Sequence, residues 1–347
     1  MLNTWQQHRE RYPAASSEDA VKLIFQGMLG CGHLLKNEQG ALDALLKEEA
    51  GLSPSSEEAL TESLGSYYVR LNLRAAMQRG IRPEWIVRMM LASVEDASSF
   101  TRSDVASEIR RLCKSGWLQE NALAYAQRLE ADADWIPSHS PTYRAAYAPA
   151  YRVISQRRAM LLPLMEVVST CLHANERMLV TIDGRCGSGK TTLATRLSGL
   201  LKAPVVHMDS FHVPHAQKTP ARLAQPGGNA DIDRILHEFL LPWLTSGSAS
   251  YRPYSCRQDL LMPAVTLSNA PIVILEGSYC NLPSIAKHAS VRVFIEITPE
   301  EQRERLLRRE GSDGLRAFEE RWIPLEEAYF SAFSLPDAGC VTVSTGM

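Results

Sequence analysis

The spacing of hydrophobic positions divides the chain into two parts of different character. Over residues 1 to about 150, apolar residues recur at helical spacing, and the segment 17–29 shows a capping serine and two acids before an apolar stripe. Gly, Pro and Ser residues separate further segments of this kind. They predict helices at 17–29, 40–49, 56–64, 83–95, 103–113 and 119–130. The pattern therefore predicts an all-α domain over residues 1–152 and a connecting helix over 153–176.

From residue 177 onward, short apolar and β-branched runs alternate with helical patterns. Such alternation predicts parallel strands joined by crossover helices, so residues 177–347 are expected to form one α/β domain. The predicted strands are 177–183, 203–208, 271–275, 291–297 and 340–344. The predicted helices are 189–202, 231–244, 299–310 and 314–333.

A glycine-rich loop follows the first of these strands and opens the first helix. Its residues match the phosphate-binding pattern G-x-x-x-x-G-K-[ST]. Glycines let backbone N–H groups curl around phosphate oxygens, the lysine can reach the β- and γ-phosphates, and the threonine hydroxyl can ligate Mg²⁺. The sequence therefore predicts a nucleoside triphosphate site, with ATP as the default nucleotide. The predicted binding residues are Gly184, Arg185, Cys186, Gly187, Ser188, Gly189, Lys190, Thr191 and Thr192.

Two acids come directly after predicted strands. Asp209 follows the strand 203–208, and Glu276 follows 271–275. In open α/β sheets ligands bind at this edge, where a carboxylate can accept the proton of an attacking hydroxyl or hold Mg²⁺. A helix-capping or loop role is the alternative for Asp209. Several arginines beside a glycine break at 311 predict a mobile lid, with a solvated helix face as the alternative.

Composition narrows the class of protein. The net charge of −2 argues against non-specific nucleic-acid binding, and no apolar run reaches the 18 residues of a membrane helix. The seven cysteines never form C-x-x-C, which indicates reduced thiols rather than a disulfide framework or a zinc site. We therefore expect a soluble, cytoplasmic protein with neither nucleic acid nor membrane as partner. Homo-oligomerisation is left open.

Taken together, these motifs resemble the uridine kinase and phosphoribulokinase family of P-loop kinases over about residues 177–335. The segments 209–212, 228–234, 251–255 and 305–310 look like the family's Asp-Ser-Phe-Tyr, Pro-x-Ala-x-Asp, Pro-x-Tyr-Asp and Arg-Arg-x-x-Arg-Asp stretches. The resemblance implies an α/β P-loop kinase fold with ATP and Mg²⁺ as cofactors. It also implies roles for individual residues: Asp209 and Lys190 in catalysis, Thr191 and Glu276 at the metal, His212, Asp231 (or Asp233) and Tyr254 at the acceptor, and Arg305, Arg308 and Arg309 in the lid.

Three departures from the family pattern affect the acceptor. His212 stands where uridine kinases have a tyrosine, Ser255 stands where the family has an aspartate, and the stretch 256–259 lacks the expected histidine. Transfer of phosphate to the hydroxyl of a nucleoside is the first hypothesis. A sugar, sugar phosphate or other metabolite hydroxyl is the second. A bifunctional or regulatory protein, whose helical domain is gated by the ATP site, is the third.

The first part of the chain resembles an uncharacterised helical module of bacterial uridine-kinase-like proteins, which implies no mechanism. His33 is either a functional group beside Glu38 or Glu48 or a cap of a glycine-rich helix end. Three tyrosines at 143, 147 and 151 are spaced four apart, which would place them on one helical face. They could contact an aromatic ligand, although packing is the commoner use of such a face.

Overall fold

The computed structural model describes residues 1–32, 35, 37–96, 99–174 and 176–344. It divides the chain into two compact units, Met1–Glu166 and Val167–Met347. His33 lies outside the described residues, so its predicted role stays a prediction. None of the described helices is long and apolar enough to cross a membrane.

The first unit consists mainly of helices. The helix Ser17–Leu29 has a well-defined N-terminus, where Ser16 and Asp19 form a reciprocal capping box. The inner face of this helix is fully buried. The helices of this unit are Leu2–Arg11, Ser17–Leu29, Glu38–Glu49, Leu73–Gln78, Pro83–Glu95, Arg102–Lys114, Ala122–Ala131, Pro141–Tyr147 and Gln156–Ala159. A further helix, Leu162–Ala174, runs across the division between the units.

The expectation of an all-α first domain needs correction. Three strands, β1 (Thr61–Ser63), β2 (Tyr68–Asn72) and β3 (Tyr151–Ser155), form an antiparallel sheet in the order β1-β2-β3. The predicted helix 56–64 is therefore wrong, and the predicted connecting helix 153–176 begins with a strand and contains two helices. Residues 56–64 carry a helix-start pattern, but pairing with the buried β2 overrides this local preference.

The second unit is built on a five-stranded parallel sheet. Its strands are β4 (Met178–Gly184), β5 (Val205–His207), β10 (Ile272–Glu276), β11 (Val291–Glu296) and β12 (Cys340–Ser344), and their order in the sheet is β12-β11-β4-β10-β5. This is the predicted α/β arrangement, and all five predicted strands are confirmed. Two small antiparallel pairs that the sequence analysis did not predict complete the unit: β6 (Ala249–Tyr251) with β9 (Val265–Leu267), and β7 (Tyr254–Ser255) with β8 (Leu260–Leu261).

Helices flank this sheet. The principal ones are Lys190–Leu201, the consecutive segments Ile232–Arg234, Ile235–Leu240 and Leu241–Ser246, the long Pro299–Ala317, and the consecutive Phe318–Trp322 and Ile323–Ala332. Short helical turns occur at Met208–Phe211, His215–Gln217, Pro220–Leu223 and Pro283–Ala286. Because all five strands are parallel, the carboxyl ends of β4, β5 and β10 meet at one edge of the sheet.

Candidate active site

The phosphate-binding loop leaves the carboxyl end of β4, a strand whose seven residues are all buried. Gly184 has φ +140°, and a Cβ at this position would lie 2.4 Å from the backbone oxygen of Ile295. Gly187 and Gly189 have φ values of +76° and +99°. These positive values favour glycine, so the three glycines of the motif are required by the backbone of this loop.

The loop lysine and threonine lie where the motif predicts them. Lys190 Nζ donates hydrogen bonds to the backbone oxygens of Gly184, at 2.7 Å, and Arg185, at 3.0 Å. The Thr191 hydroxyl lies 3.2 Å from each carboxylate oxygen of Glu276. Strands β4 and β10 are neighbours in the sheet, and this brings the two predicted metal-binding residues together.

The residues present fit a bound Mg²⁺. A hydroxyl and a carboxylate supply hard oxygen ligands, and Mg²⁺ in nucleotide sites takes only one or two protein ligands besides phosphate and water. The structure shows no cluster of three or more acidic, His or Cys side chains able to hold a metal within the residues it describes.

His207, a residue outside the sequence motifs, contacts Glu276. His207 ends β5, and its Nδ1 lies 2.5 Å from Glu276 Oε1. The hydrogen bond to the buried Glu276 carboxylate raises the pKa of His207 above its ordinary value. The histidine therefore fixes the orientation of this carboxylate. Its position two residues before Asp209, at the end of a predicted strand, was the available signal.

Two buried acids beneath the loop were also missed. Asp183 accepts hydrogen bonds from Tyr329 Oη at 2.7 Å and from the backbone N–H of Gly184 at 2.8 Å, while burial raises the pKa of Asp183 to about 6. Glu326 accepts a hydrogen bond from the backbone N–H of Cys186 at 2.9 Å. Both acids anchor the loop through backbone amides. Glu326 is 140 residues distant from the loop in the sequence, so no local pattern reveals it.

A cavity of about 650 Å³ opens in front of the loop. Eleven of the predicted site residues line it: Cys186, Gly187, Gly189, Lys190, Thr191, Thr192, Asp209, His212, Glu276, Arg305 and Arg309. Further lining residues that the sequence did not point to include His215, Lys218, Asn229, Cys256, Arg321 and Trp322. The loop, both acids after the strands and the arginine segment therefore share one cavity, as a phosphoryl-transfer site requires.

Asp209 lies in the short helical turn after β5, with its side chain 81% exposed. The distance from its Oδ1 to His212 Nε2 is 3.7 Å. Burial lowers the pKa of His212, while the Asp209 charge opposes this shift. On its other side, His212 Nδ1 lies 3.4 Å from Cys256 Sγ. Asp209 is thus open to the cavity and has a neutral imidazole beside it.

Asp231 and Tyr254 are not among the cavity-lining residues. Asp231 caps a helical segment, where its Oδ1 accepts from the backbone N–H of Arg234 at 3.3 Å. The hydroxyl of Tyr254 is hydrogen-bonded to Asp259, which also accepts from the N–H of His215 at 3.0 Å. Tyr254 therefore supports a cavity-lining segment. The polar residue of the 228–234 stretch that does line the cavity is Asn229.

The arginine segment is part of the long helix Pro299–Ala317, which is interrupted at Gly311, with φ +73°. Arg305 and Arg309 line the cavity. Arg308 does not, and it forms an ion pair with Glu304 on the solvent side at 2.9 Å. Two of the three predicted lid residues thus face the site, while the third fits the alternative of a solvated helix face.

No protein-family model and no curated protein matches this chain. Among solved structures, a candidate uridine kinase from Bacillus stearothermophilus is 18% identical, and the match covers 52% of this chain and 98% of that one with a TM-score of 0.39. A candidate fructose transport system kinase from a Silicibacter species is 20% identical over 51% of this chain and 98% of that one, with a TM-score of 0.42. By its parallel sheet and the glycine-rich loop at the end of β4, the second unit has the α/β P-loop fold expected from the sequence.

Proposed function

We propose that the second unit transfers the γ-phosphoryl group of ATP to a hydroxyl of a small metabolite. The observation that carries the proposal is the position of Asp209, whose exposed carboxylate shares one cavity with Lys190 of the phosphate-binding loop. A protein that only binds nucleotide needs no free carboxylate in front of the phosphates. A kinase does, because the acceptor hydroxyl must be oriented and must lose its proton.

Each group then has a defined task. The loop amides and Lys190 hold the phosphates, and Arg305 and Arg309 neutralise charge that spreads over the transferred group. Thr191 and Glu276 would hold Mg²⁺, which supplies Lewis-acid stabilisation of the phosphate oxygens when it is bound. Asp209 accepts the acceptor's proton, and the neutral His212 beside it leaves the carboxylate charge uncompensated.

For the acceptor, a nucleoside is the first candidate. Asn229 is buried, it lines the cavity, and its Oδ1 has no hydrogen-bond partner among the described residues. An unpaired buried oxygen favours a ligand that donates a hydrogen bond, such as a base N–H or a sugar hydroxyl.

An anionic acceptor, such as a sugar phosphate, is the second candidate. Lys218 lines the cavity near the Trp322 ring, with 5.9 Å between its Nζ and the ring centroid, and Arg321 lines the cavity beside the same ring. These two cations lie outside the loop and the arginine segment, and they favour an acceptor that carries its own negative charge.

The proposal is tested by ADP release from Mg²⁺ and ATP with a panel of nucleosides, free sugars, sugar phosphates and hydroxy acids. We expect at least one acceptor to stimulate release, and Lys190→Ala to lose both turnover and ATP binding. Stimulation by nucleosides supports the first candidate, and stimulation by sugar phosphates supports the second. If no acceptor stimulates release above the background hydrolysis, the kinase proposal fails in favour of a regulatory ATP site.

Asp209→Asn gives the sharper test of mechanism. We expect kcat to fall by about 10²- to 10⁴-fold, the usual contribution of a general base, with ATP binding retained. Because the side chain is exposed, stability should change by less than about 0.5 kcal/mol. Asp134→Asn, at an exposed position of the first unit, is the control. Equal loss of ATP binding and turnover in Asp209→Asn would contradict its role as base.

A further inference from the structure

The first unit contains a cavity of its own, of about 310 Å³. Tyr143, Tyr147 and Tyr151 all line it, together with Tyr12. The helix Pro141–Tyr147 ends before the third tyrosine, which begins β3, so the three do not share one helical face. The fold nevertheless brings them to one cavity, where Tyr143 lies 4.9 Å from Tyr147 and 5.4 Å from Tyr12 between ring centroids.

A buried arginine forms part of the wall of this cavity. Arg70 lies on β2 and is only 2% exposed. Its guanidinium carbon lies 4.5 Å from the centroid of the Tyr151 ring, and one of its terminal nitrogens donates to Gln26 Oε1 at 3.2 Å. Its other terminal nitrogen lies 3.4 Å from His8 Nδ1 and 3.8 Å from Glu62, a carboxylate that is hydrogen-bonded by His8 at 3.0 Å. The buried charge of Arg70 therefore has neutral partners and an ion pair longer than a hydrogen bond.

One polar group of the cavity wall is left without a partner. Arg70 Nε is buried and has no hydrogen bond within the described part of the chain. The Tyr143 hydroxyl belongs to a ring of the same wall that is only 1% exposed. A buried N–H without an acceptor costs stability, which favours a ligand that accepts a hydrogen bond from Arg70.

The other tyrosine hydroxyls are held by the protein. The backbone N–H of Ala14 donates to Tyr147 at 2.8 Å, and Tyr12 donates to Glu62 at 3.2 Å. Tyr151 is held at 2.7 Å by His139 Nε2, and His139 Nδ1 is in turn 3.0 Å from Asp19. Burial lowers the pKa of His139 to about 3, so this histidine is neutral, and the Tyr151 hydroxyl also donates to Gln26 Oε1 at 3.1 Å. The ring positions are thus fixed in advance of binding.

The charges around the cavity favour an anion. Its lining carries three arginines and two glutamates, which leaves one positive charge in excess. Besides Arg70, the arginines are Arg11 and Arg74, and Arg74 donates to the backbone oxygen of Ala148 at 3.2 Å. Aromatic walls favour a flat, polarisable ligand body, and an arginine with a free N–H favours a carboxylate or phosphate.

We propose that this cavity is a second ligand site, which binds a small aromatic acid with its ring among the tyrosines and its anionic group at Arg70. The volume suits a ligand of one ring with a short acidic group, at the lower end of the range for small-molecule sites. This site is independent of the proposed kinase activity, because every residue that forms it belongs to the first unit.

The test is calorimetric titration of the full-length Lys190→Ala protein, in which the loop lysine cannot contribute to anion binding. The probes are benzoate, phenyl phosphate, inorganic phosphate and the neutral benzamide. We expect benzoate or phenyl phosphate to bind at least tenfold more tightly than benzamide and inorganic phosphate, because ring and charge are both used. The better of the two acids shows whether a carboxylate or a phosphate is preferred.

Matched variants locate the binding. Arg70→Gln should weaken the better probe at least tenfold, and Tyr143→Phe by about fivefold, the value of one hydrogen bond. The controls are Arg9→Gln and Tyr67→Phe, which change exposed residues outside the cavity lining. Should Arg70→Gln fail to fold, Tyr143→Phe and Arg74→Gln decide, since neither removes the buried charge. Absence of binding by all probes, equal binding of benzamide, or equal effects of the control variants would overturn the proposal.

Discussion

Asp19 offers a quantitative test of the polar network in the first unit. It is fully buried, and its carboxylate accepts from Ser16 N at 2.9 Å, from Ser140 Oγ at 2.7 Å and from His139 Nδ1 at 3.0 Å. Burial alone would raise the pKa of Asp19, but these hydrogen bonds outweigh burial and hold the pKa at about 2, below the ordinary 3.8. The folded state therefore binds this proton more weakly than the unfolded state does.

The magnitude follows from this difference. Each pKa unit corresponds to about 1.4 kcal/mol, so the Asp19 charge contributes about 2 kcal/mol to the free energy of unfolding. A carboxyl group whose pKa is lower in the folded state than in the unfolded state stabilises the fold at pH values above the pKa of the unfolded state. This stabilisation is lost as the pH falls through the pKa of the folded state. The contribution is complete at pH 7 and disappears between about pH 4 and pH 2. Asp19→Asn removes it at every pH.

The assay is native-state hydrogen exchange of the amides in Ser17–Leu29, measured for wild type and Asp19→Asn between pH 7 and pH 3. Such exchange reports the opening free energy of this helix rather than of the whole chain. We expect the variant to be less stable by about 2 kcal/mol at pH 7 and the gap to narrow below pH 4. A gap below about 0.5 kcal/mol at pH 7, or one that stays constant to pH 3, would refute the reasoning.

Three further predictions concern the second unit. Gly184→Ala should destabilise the second unit by about 2 kcal/mol or more and abolish the rise in Tm on addition of nucleotide, because the new Cβ would meet the Ile295 backbone. An unchanged Tm would contradict this prediction. Arg305→Ala should lower kcat about 10²-fold while Arg308→Ala leaves it nearly unchanged, since only Arg305 lines the cavity; equal effects on kcat would argue for a surface role. Cys186 should react slowly with iodoacetamide at pH 8, because burial raises the pKa of its thiol to about 12. Mass spectrometry measures the extent of alkylation, and rapid labelling of Cys186 would contradict this prediction.

Much of the candidate site could be predicted because its signals are local. The phosphate-binding loop needs glycines at fixed positions, and each strand that supplies an acid is a short apolar run followed by a polar residue. Parallel strands place their carboxyl ends at one edge, so a prediction of strands is also a prediction that Asp209 and Glu276 meet at that edge. The structure confirms the strands and places both acids in the cavity.

Pairing between segments that are distant in the sequence could not be predicted from local sequence patterns. The segment at β1 has a helix-start pattern, yet it pairs with β2 because that buried strand offers an edge. Asp183 and Glu326 support the phosphate-binding loop through backbone amides, and Tyr329, which is 146 residues from Asp183, completes this layer. Hydrogen bonds of this kind depend on which surfaces pack together, which no local pattern encodes.

Residue type and near-neighbour spacing are enough to predict an α/β part with a glycine-rich loop, two acids after strands and an arginine segment. Which of these residues face the cavity depends on the tertiary structure. The cavity lining includes Asn229 but not the predicted site residues Gly184, Arg185, Ser188, Asp231, Tyr254 and Arg308. The tertiary structure also brings the tyrosines to the wall of a second cavity beside Arg70, because a strand and a helix meet there. Such a meeting depends on packing between segments that are distant in the sequence, so a local sequence pattern does not predict it.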